Sequence, residues 1–238
     1  MLQHAQSALG IAVILALAWA FSENRRAFPV RTVLAGLALQ VVLALLLLKV
    51  PPARNVLFSL NGIVDALMEA TRAGTSFVFG YAGGGDTPFA VTNARALGSF
   101  AFQILPLIIV ISALAALLWH WRILPVIVRA FAFVLRKIMG IGGAVGLGAA
   151  ATFFLGMIEA PLLIRPYLPK LSRSELFVLF TVGLATVAGT VFVLYASILE
   201  PVIPGALGHI LVASLLSLPS GILIARIMVP GAEETEGD

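Results

Sequence analysis

Cysteine is absent from the sequence, which excludes disulfides and thiolate metal sites and leaves the redox compartment without a marker. Charge is scarce as well: 11% of residues are Asp, Glu, Lys or Arg, against roughly 25% in a soluble globular domain. Histidine occurs only at His4, His120 and His209, too scattered for a metal centre. No Ser/His/Asp or Cys/His set can be assembled, so the chain is not read as an enzyme. What is abundant is apolar surface, with 61% of residues hydrophobic. Such a chain cannot hide that surface from water, and the composition implies an integral membrane protein. The formal charge of +4 comes mostly from Lys and Arg set between apolar runs. These read as orientation signals and lipid-headgroup contacts rather than as a nucleic-acid surface.

Crossing a hydrocarbon core of about 30 Å takes roughly 20 helical residues. Uncharged windows of that order run from Met1 to Ser22, Ala96 to Trp121 and Leu176 to Leu199, with a shorter one from Thr32 to Leu48. A fifth, Ile210 to Ala225, reaches spanning length only with the uncharged residues before His209. The triplet Ala18-Trp19-Ala20 mimics a signal-peptidase site, but no basic segment precedes it and ENRR follows. The first run is therefore read as a retained span. His120, between Trp119 and Trp121, suits an interfacial belt.

Val56, Leu60, Ile63, Leu67 and Met68 recur at helical spacing, while Asp65, Glu69 and Arg72 share another face. This predicts an amphipathic helix over about 55–72, lying at an interface. The Gly-rich GTSFVFGYAGGG that follows lacks a Walker lysine and is read as a connector. A second amphipathic piece, LPVIVRAFAFVLRK, sets Arg129 and Arg136 in phase with Arg122, a basic stripe suited to an anionic leaflet.

The segment between Lys137 and Arg165 decides the topology. A single crossing would put Arg165, Lys170 and Arg173 opposite Arg122, Arg129, Arg136 and Lys137, against the positive-inside bias. A re-entrant hairpin over about 140–168 keeps all these cations in the cytoplasm with Arg25, Arg26 and Arg31, and puts Glu200 to His209 outside. The N-terminus is then outside and the C-terminus inside. Gly140, Gly142, Gly143, Gly146, Gly148 and Gly156 suit close packing and a sharp turn. A helix broken at membrane depth needs a cavity or protein to satisfy its backbone. Glu159, just before Pro161, sits at that break, where an ionisable side chain usually meets a pathway or partner. A plain pairing of Glu159 with Arg165 is the structural alternative.

The run RKIMGIGG…AAATFFLGMIEAPLLIRPYLPKLSRSELF, with SENRRA, SFVFG and FAFQILPLII, resembles the concentrative nucleoside transporter family over essentially the whole chain. That family shows a Gly-Gln-Thr/Ser-Glu-Ala-Pro hairpin tip followed by Leu-Leu-Ile-Arg-Pro-Tyr-Leu. The resemblance implies an all-α membrane protein with about five transmembrane helices, two amphipathic interfacial helices and one re-entrant hairpin. It divides the chain into scaffold-like helices over 1–122, a transport or gate-like part over 123–230, and an acidic tail over 231–238. It further implies cation-coupled uptake of nucleosides or related small molecules, with Na+ or H+ as coupling ion and no other cofactor. A homotrimer in a bacterial inner membrane is the expected setting.

By the same resemblance, Gly156, Met157, Ile158, Glu159 and Val191 contact substrate, and Thr152, Leu155, Thr186 and Val187 supply oxygens to the ion. Met157 and Ile158 stand where the family carries amide and hydroxyl groups, and Thr152 where it carries a sodium-liganding Asn. A tip without those polar contacts should bind a base weakly or bind something more apolar. Thr181, Thr186, Thr190, Gly183 and Gly189 fit either close helix packing or an unwound, ligand-facing stretch. The resemblance favours the second for Thr186 and Val187. The family continues into an inverted second half, so this chain is expected to be a fragment, a relic, or one of two polypeptides sharing the site. By itself it is expected not to concentrate nucleosides. A non-transporting scaffold or regulatory gate-like protein is the alternative.

Overall fold

The computed structural model describes residues 2–93, 97–199 and 202–231. Among these, every regular element is helical: α1 Leu2–Ala20, α2 Val30–Lys49, α3 Pro51–Phe79, α4 Leu105–His120, α5 Ile123–Met139, α6 Gly143–Leu155, α7 Glu159–Leu163, α8 Arg173–Ala185, α9 Gly189–Leu199 and α10 Ala206–Met228. Short 3-10 turns occupy Gly80–Gly83 and Leu168–Lys170, and a π turn at Phe100–Ile104 leads into α4.

Among the described residues, three stretches are long and apolar enough to cross a membrane: Val30–Lys49, Phe100–His120 and Ala206–Met228. They correspond to three of the five runs expected from the sequence. The first run is helical over Leu2–Ala20, with a shorter apolar part at Leu9–Ala20. The run Leu176 to Leu199 is divided into α8 and α9 at Thr186–Ala188, the unwound stretch that the resemblance favoured for Thr186 and Val187. Glu200, at the connection after α9, and the acidic residues of 232–238 lie outside the described residues.

The chain forms two compact units, each built from separated stretches. The first holds residues 1–45, 127–188 and 213–238. Small residues let its helices approach closely, as is usual where packing rather than water drives association. A Cβ on Gly36 of α2 would lie 3.0 Å from both Leu223 Cδ2 and Met139 Cε. Beside this contact, Gln40 Nε2 donates to Ser220 Oγ at 2.6 Å. Helix α6 buries Ala144, Gly146, Gly148, Ala149, Ala150 and Ala151, whereas α1 and α2 leave Leu9, Ile14, Leu34 and Val41 exposed, a surface suited to lipid. Helix α8 starts with a capping box in which Ser172 Oγ accepts from the Glu175 N–H and the fully buried Glu175 carboxylate accepts from the Ser172 N–H.

The second unit holds residues 46–126 and 189–212. Its core joins Leu107 and Ile111 of α4 to Val193 of α9, with Val64 and Met68 of α3 against them. Helix α3 runs over Pro51–Phe79, longer at both ends than the 55–72 expected. The side chains of Val56 and Leu60 lie outside the described residues. The GTSFVF read as a connector is helical, and the chain then folds back on it. Thr75 Oγ1 donates to Gly83 O at 2.8 Å, and a Cβ on Gly83 would fall 2.0 Å from Thr75 O, so no other residue fits there. The shared polar face of α3 is present: Asp65, Glu69 and Arg72 line a cavity of about 630 Å³ with Thr71, Thr75 and Gln103.

Candidate functional site

In the first unit two backbone interruptions meet. Helix α6 ends at Leu155, and Gly156 adopts φ 100 and ψ 176, a region essentially reserved for glycine. Its N–H donates to Thr152 O at 2.9 Å, and its carbonyl accepts from the Ala160 N–H at 3.1 Å. The chain then reverses. In a continuous helix Gly148 and Ile164 would stand about 24 Å apart, yet a Cβ on Gly148 would lie 2.9 Å from Ile164 Cδ1. The segment is therefore a helical hairpin, with Gly156–Ile158 at its tip.

The second interruption separates α8 from α9. Thr186 takes an extended conformation, and its N–H still donates to Val182 O at 3.1 Å. The Val187 N–H, which has lost its helical partner, donates instead to Ser214 Oγ of α10 at 3.2 Å. Ser214 is buried and answers the requirement that broken backbone inside a membrane protein be satisfied by protein or a cavity. The sequence reading missed Ser214, since a serine in an apolar helix carries no signal for which backbone group it will meet.

A Cβ on Gly156 would lie 3.0 Å from Ala188 Cβ and 3.2 Å from Glu159 Oε2, so the hairpin tip abuts the α8–α9 break and the Glu159 carboxylate folds over the tip glycine. Met157 lies against Gly183 of α8, whose Cβ would be 3.0 Å from Met157 Cγ. Thr152, Leu155, Gly156, Met157, Ile158 and Glu159 are thus gathered at the tip, beside the segment carrying Thr186 and Val187. Val191 lies in α9, in the second unit.

Exposure divides these side chains. Thr152 and Gly156 are buried, while Met157, Ile158 and Glu159 are exposed. Thr152 Oγ1 donates to Gly148 O at 2.8 Å, and Thr186 Oγ1 donates to Val182 O at 2.9 Å. Each hydroxyl spends its proton within its own helix and keeps oxygen lone pairs as acceptors. A cavity of about 460 Å³ opens between the hairpin and α8, lined by Thr152, Met157, Ala160, Pro161, Leu179 and Phe180 among others, and is overwhelmingly apolar.

Paired helix breaks in contact, on a scaffold of apolar helices, define the class of multi-pass membrane proteins that form intramembrane sites from discontinuous helices. Residues 9–82 match the family described as Na+ dependent nucleoside transporter N-terminus, and residues 101–202 the one described as Nucleoside recognition. The chain belongs to the concentrative nucleoside transporter family, matching its N-terminal part. It is 36% identical over 232 residues to the nucleoside permease NupC of Helicobacter pylori, covering 95% of this chain and 52% of the relative. It is 33% identical over 227 residues to sodium/nucleoside cotransporter 1 of Rattus norvegicus, covering 95% of this chain and 32% of that protein. The solved structure of CNTnw in an inward-facing substrate-bound state superposes with a TM-score of 0.84 at 32% identity, covering 98% of this chain and 54% of that one. The chain thus spans about half the length of the bacterial relatives it matches.

Proposed function

We propose that this chain is a component of a secondary transporter that couples Na+ or H+ to the uptake of nucleosides or related small molecules, and that it contributes the first hairpin of the substrate site. The observation that carries this reading is the contact of the two breaks, Gly156 against Ala188. Interrupted helices present polar backbone atoms at membrane depth, and two interruptions in contact concentrate those atoms in one place. The names of the relatives, a nucleoside permease and a sodium/nucleoside cotransporter, support the substrate class.

In this reading the exposed Glu159 carboxylate meets substrate or coupling ion. The Thr152 and Thr186 hydroxyl oxygens and the Leu155 and Val187 carbonyls offer hard ligands to a cation. Met157 and Ile158 bring no hydrogen-bonding group to the polar edge of a base, and the neighbouring cavity is apolar, so the preferred substrate carries more apolar surface than an unadorned nucleoside. The family reading adds a homotrimer and an inverted second half.

Glu159→Gln tests the proposal, because it nearly preserves shape while removing charge. In the transporter containing this chain, the variant should lose ion-coupled uptake by roughly tenfold or more, or change its pH or cation dependence, with expression intact. Unchanged affinity, rate and ion dependence would make the carboxylate structural and overturn the reading.

A further inference from the structure

The basic stripe of α5 meets the feet of the hairpin around a cavity of about 300 Å³ that the proposed transport site does not use. One wall is a helical stripe at the spacing that shares a face: Arg129, Ala132, Phe133 and Arg136. The other is the first turns of α6, with Gly143, Ala144 and Leu147, joined by Tyr167 at the returning foot of the hairpin.

We infer that this cavity binds the phosphate of an anionic phospholipid headgroup. Two guanidinium groups on one face offer bidentate donors matched to phosphate oxygens. Opposite them, α6 presents its N-terminus, capped by Gly142 without a side-chain acceptor. The first N–H groups of a helix have no partner within it and favour an anion. Among the described residues lining the cavity there is no Asp or Glu to compete. The lipid source follows from the setting. The chain is a multi-pass membrane protein, and α5 exposes Ile127, Phe133, Val134 and Ile138 beside its arginines, a surface along which acyl chains can lie. Gly143 and Tyr167 stand at the two feet of the hairpin, so a bound headgroup ties both feet to α5 and steadies the hairpin from the end opposite its tip.

The test is a lipid titration of purified, delipidated protein followed by native mass spectrometry, with phosphatidylglycerol and phosphatidylcholine as probes. The double variant R129Q/R136Q should bind phosphatidylglycerol roughly tenfold more weakly or worse, given the attraction each surface cation exerts on an anionic lipid. Arg122 precedes α5 with a positive φ of 62 and so stands off the helical stripe expected of it; Arg122→Gln removes a cation that does not line the cavity and should change binding by less than about twofold. R129K/R136K, which keeps the charge but loses the planar fork, should show an intermediate loss. This pair decides the matter where the glutamine variant does not fold, and full retention by it would overturn the inference. Equal losses in R122Q and the double variant, or equal binding of phosphatidylcholine, would also overturn it by reducing the effect to diffuse attraction. Displacement of phosphatidylglycerol by millimolar inorganic phosphate would assign the cavity to a free anion and overturn the lipid reading.

Discussion

The hairpin tip and the break at Thr186–Ala188 both lie in the first unit, yet they are held open by different means. At the tip the backbone itself is committed: Gly156 occupies a conformation that side chains resist, and its amide and carbonyl are both satisfied within the hairpin. At Thr186–Ala188 no residue demands a break. Thr186 is simply extended, and the stranded Val187 N–H is taken by Ser214, 27 positions away. The first break is local and covalent in origin; the second exists because another helix supplies its hydrogen bond. The contrast teaches that a self-sufficient break can serve as a fixed wall, whereas a borrowed one can change when its lender moves.

The sharpest way to break this comparison is to give the tip a side chain. Gly156→Val must adopt a backbone state that costs about 1–3 kcal/mol while meeting Ala188 and Glu159. Loss of several degrees of thermal stability in detergent is expected, or failure to accumulate folded protein. Gly10→Ala is the control, since Gly10 has nothing within 4 Å of its would-be Cβ and alanine is the better helix former by about 1 kcal/mol. If both variants behave alike, the tip is not committed by its glycine.

A smaller effect is expected at the borrowed break. Ser214→Ala leaves the Val187 amide without its partner, at a cost of about 1–3 kcal/mol if no water replaces it. Hydrogen exchange at the Val187 amide should accelerate while exchange at Gly156 stays slow. Ser217→Ala is the comparison: half-buried Ser217 donates only to Ala213 O of its own helix, through a bond open to the surroundings, so it should be nearly neutral. Unchanged exchange at Val187 in the Ser214 variant would show that the break stands without its lender.

The smallest structural effect belongs to Thr186→Val, which removes the bond from Oγ1 to Val182 O, worth roughly 0.5–1.5 kcal/mol. Its value lies in the split between stability and function. A minor change in thermal stability with a marked change in sodium dependence of uptake would make the hydroxyl an ion ligand, whereas proportionate changes would confine it to holding the break.

Much of this was legible from residue order alone. Scarce charge and long uncharged runs named the medium, because each residue carries its transfer free energy wherever it sits. The cations flanking 138–164 argued for a re-entrant segment, and the fold-back of Ile164 onto Gly148 agrees. Gly156 and Pro161 mark the tip because their backbone preferences are intrinsic. The S-x-x-E of Ser172 to Glu175 likewise carried the signature of a helix start, though the reading did not use it. The full length of α3 was not legible, since its extension through Phe79 is closed by Gly83 turning back onto Thr75. The second break was legible only through the resemblance, for Thr186-Val187-Ala188 contains no helix breaker and the nearby Thr181, Thr190, Gly183 and Gly189 suited packing equally well. The sequence determined the medium, the helical elements and the first break, all of which depend on local residue chemistry. Only the tertiary structure decided how the second break is held and that it meets the first, because the Val187 amide is received by a side chain 27 positions away, that of Ser214, which no local preference places there.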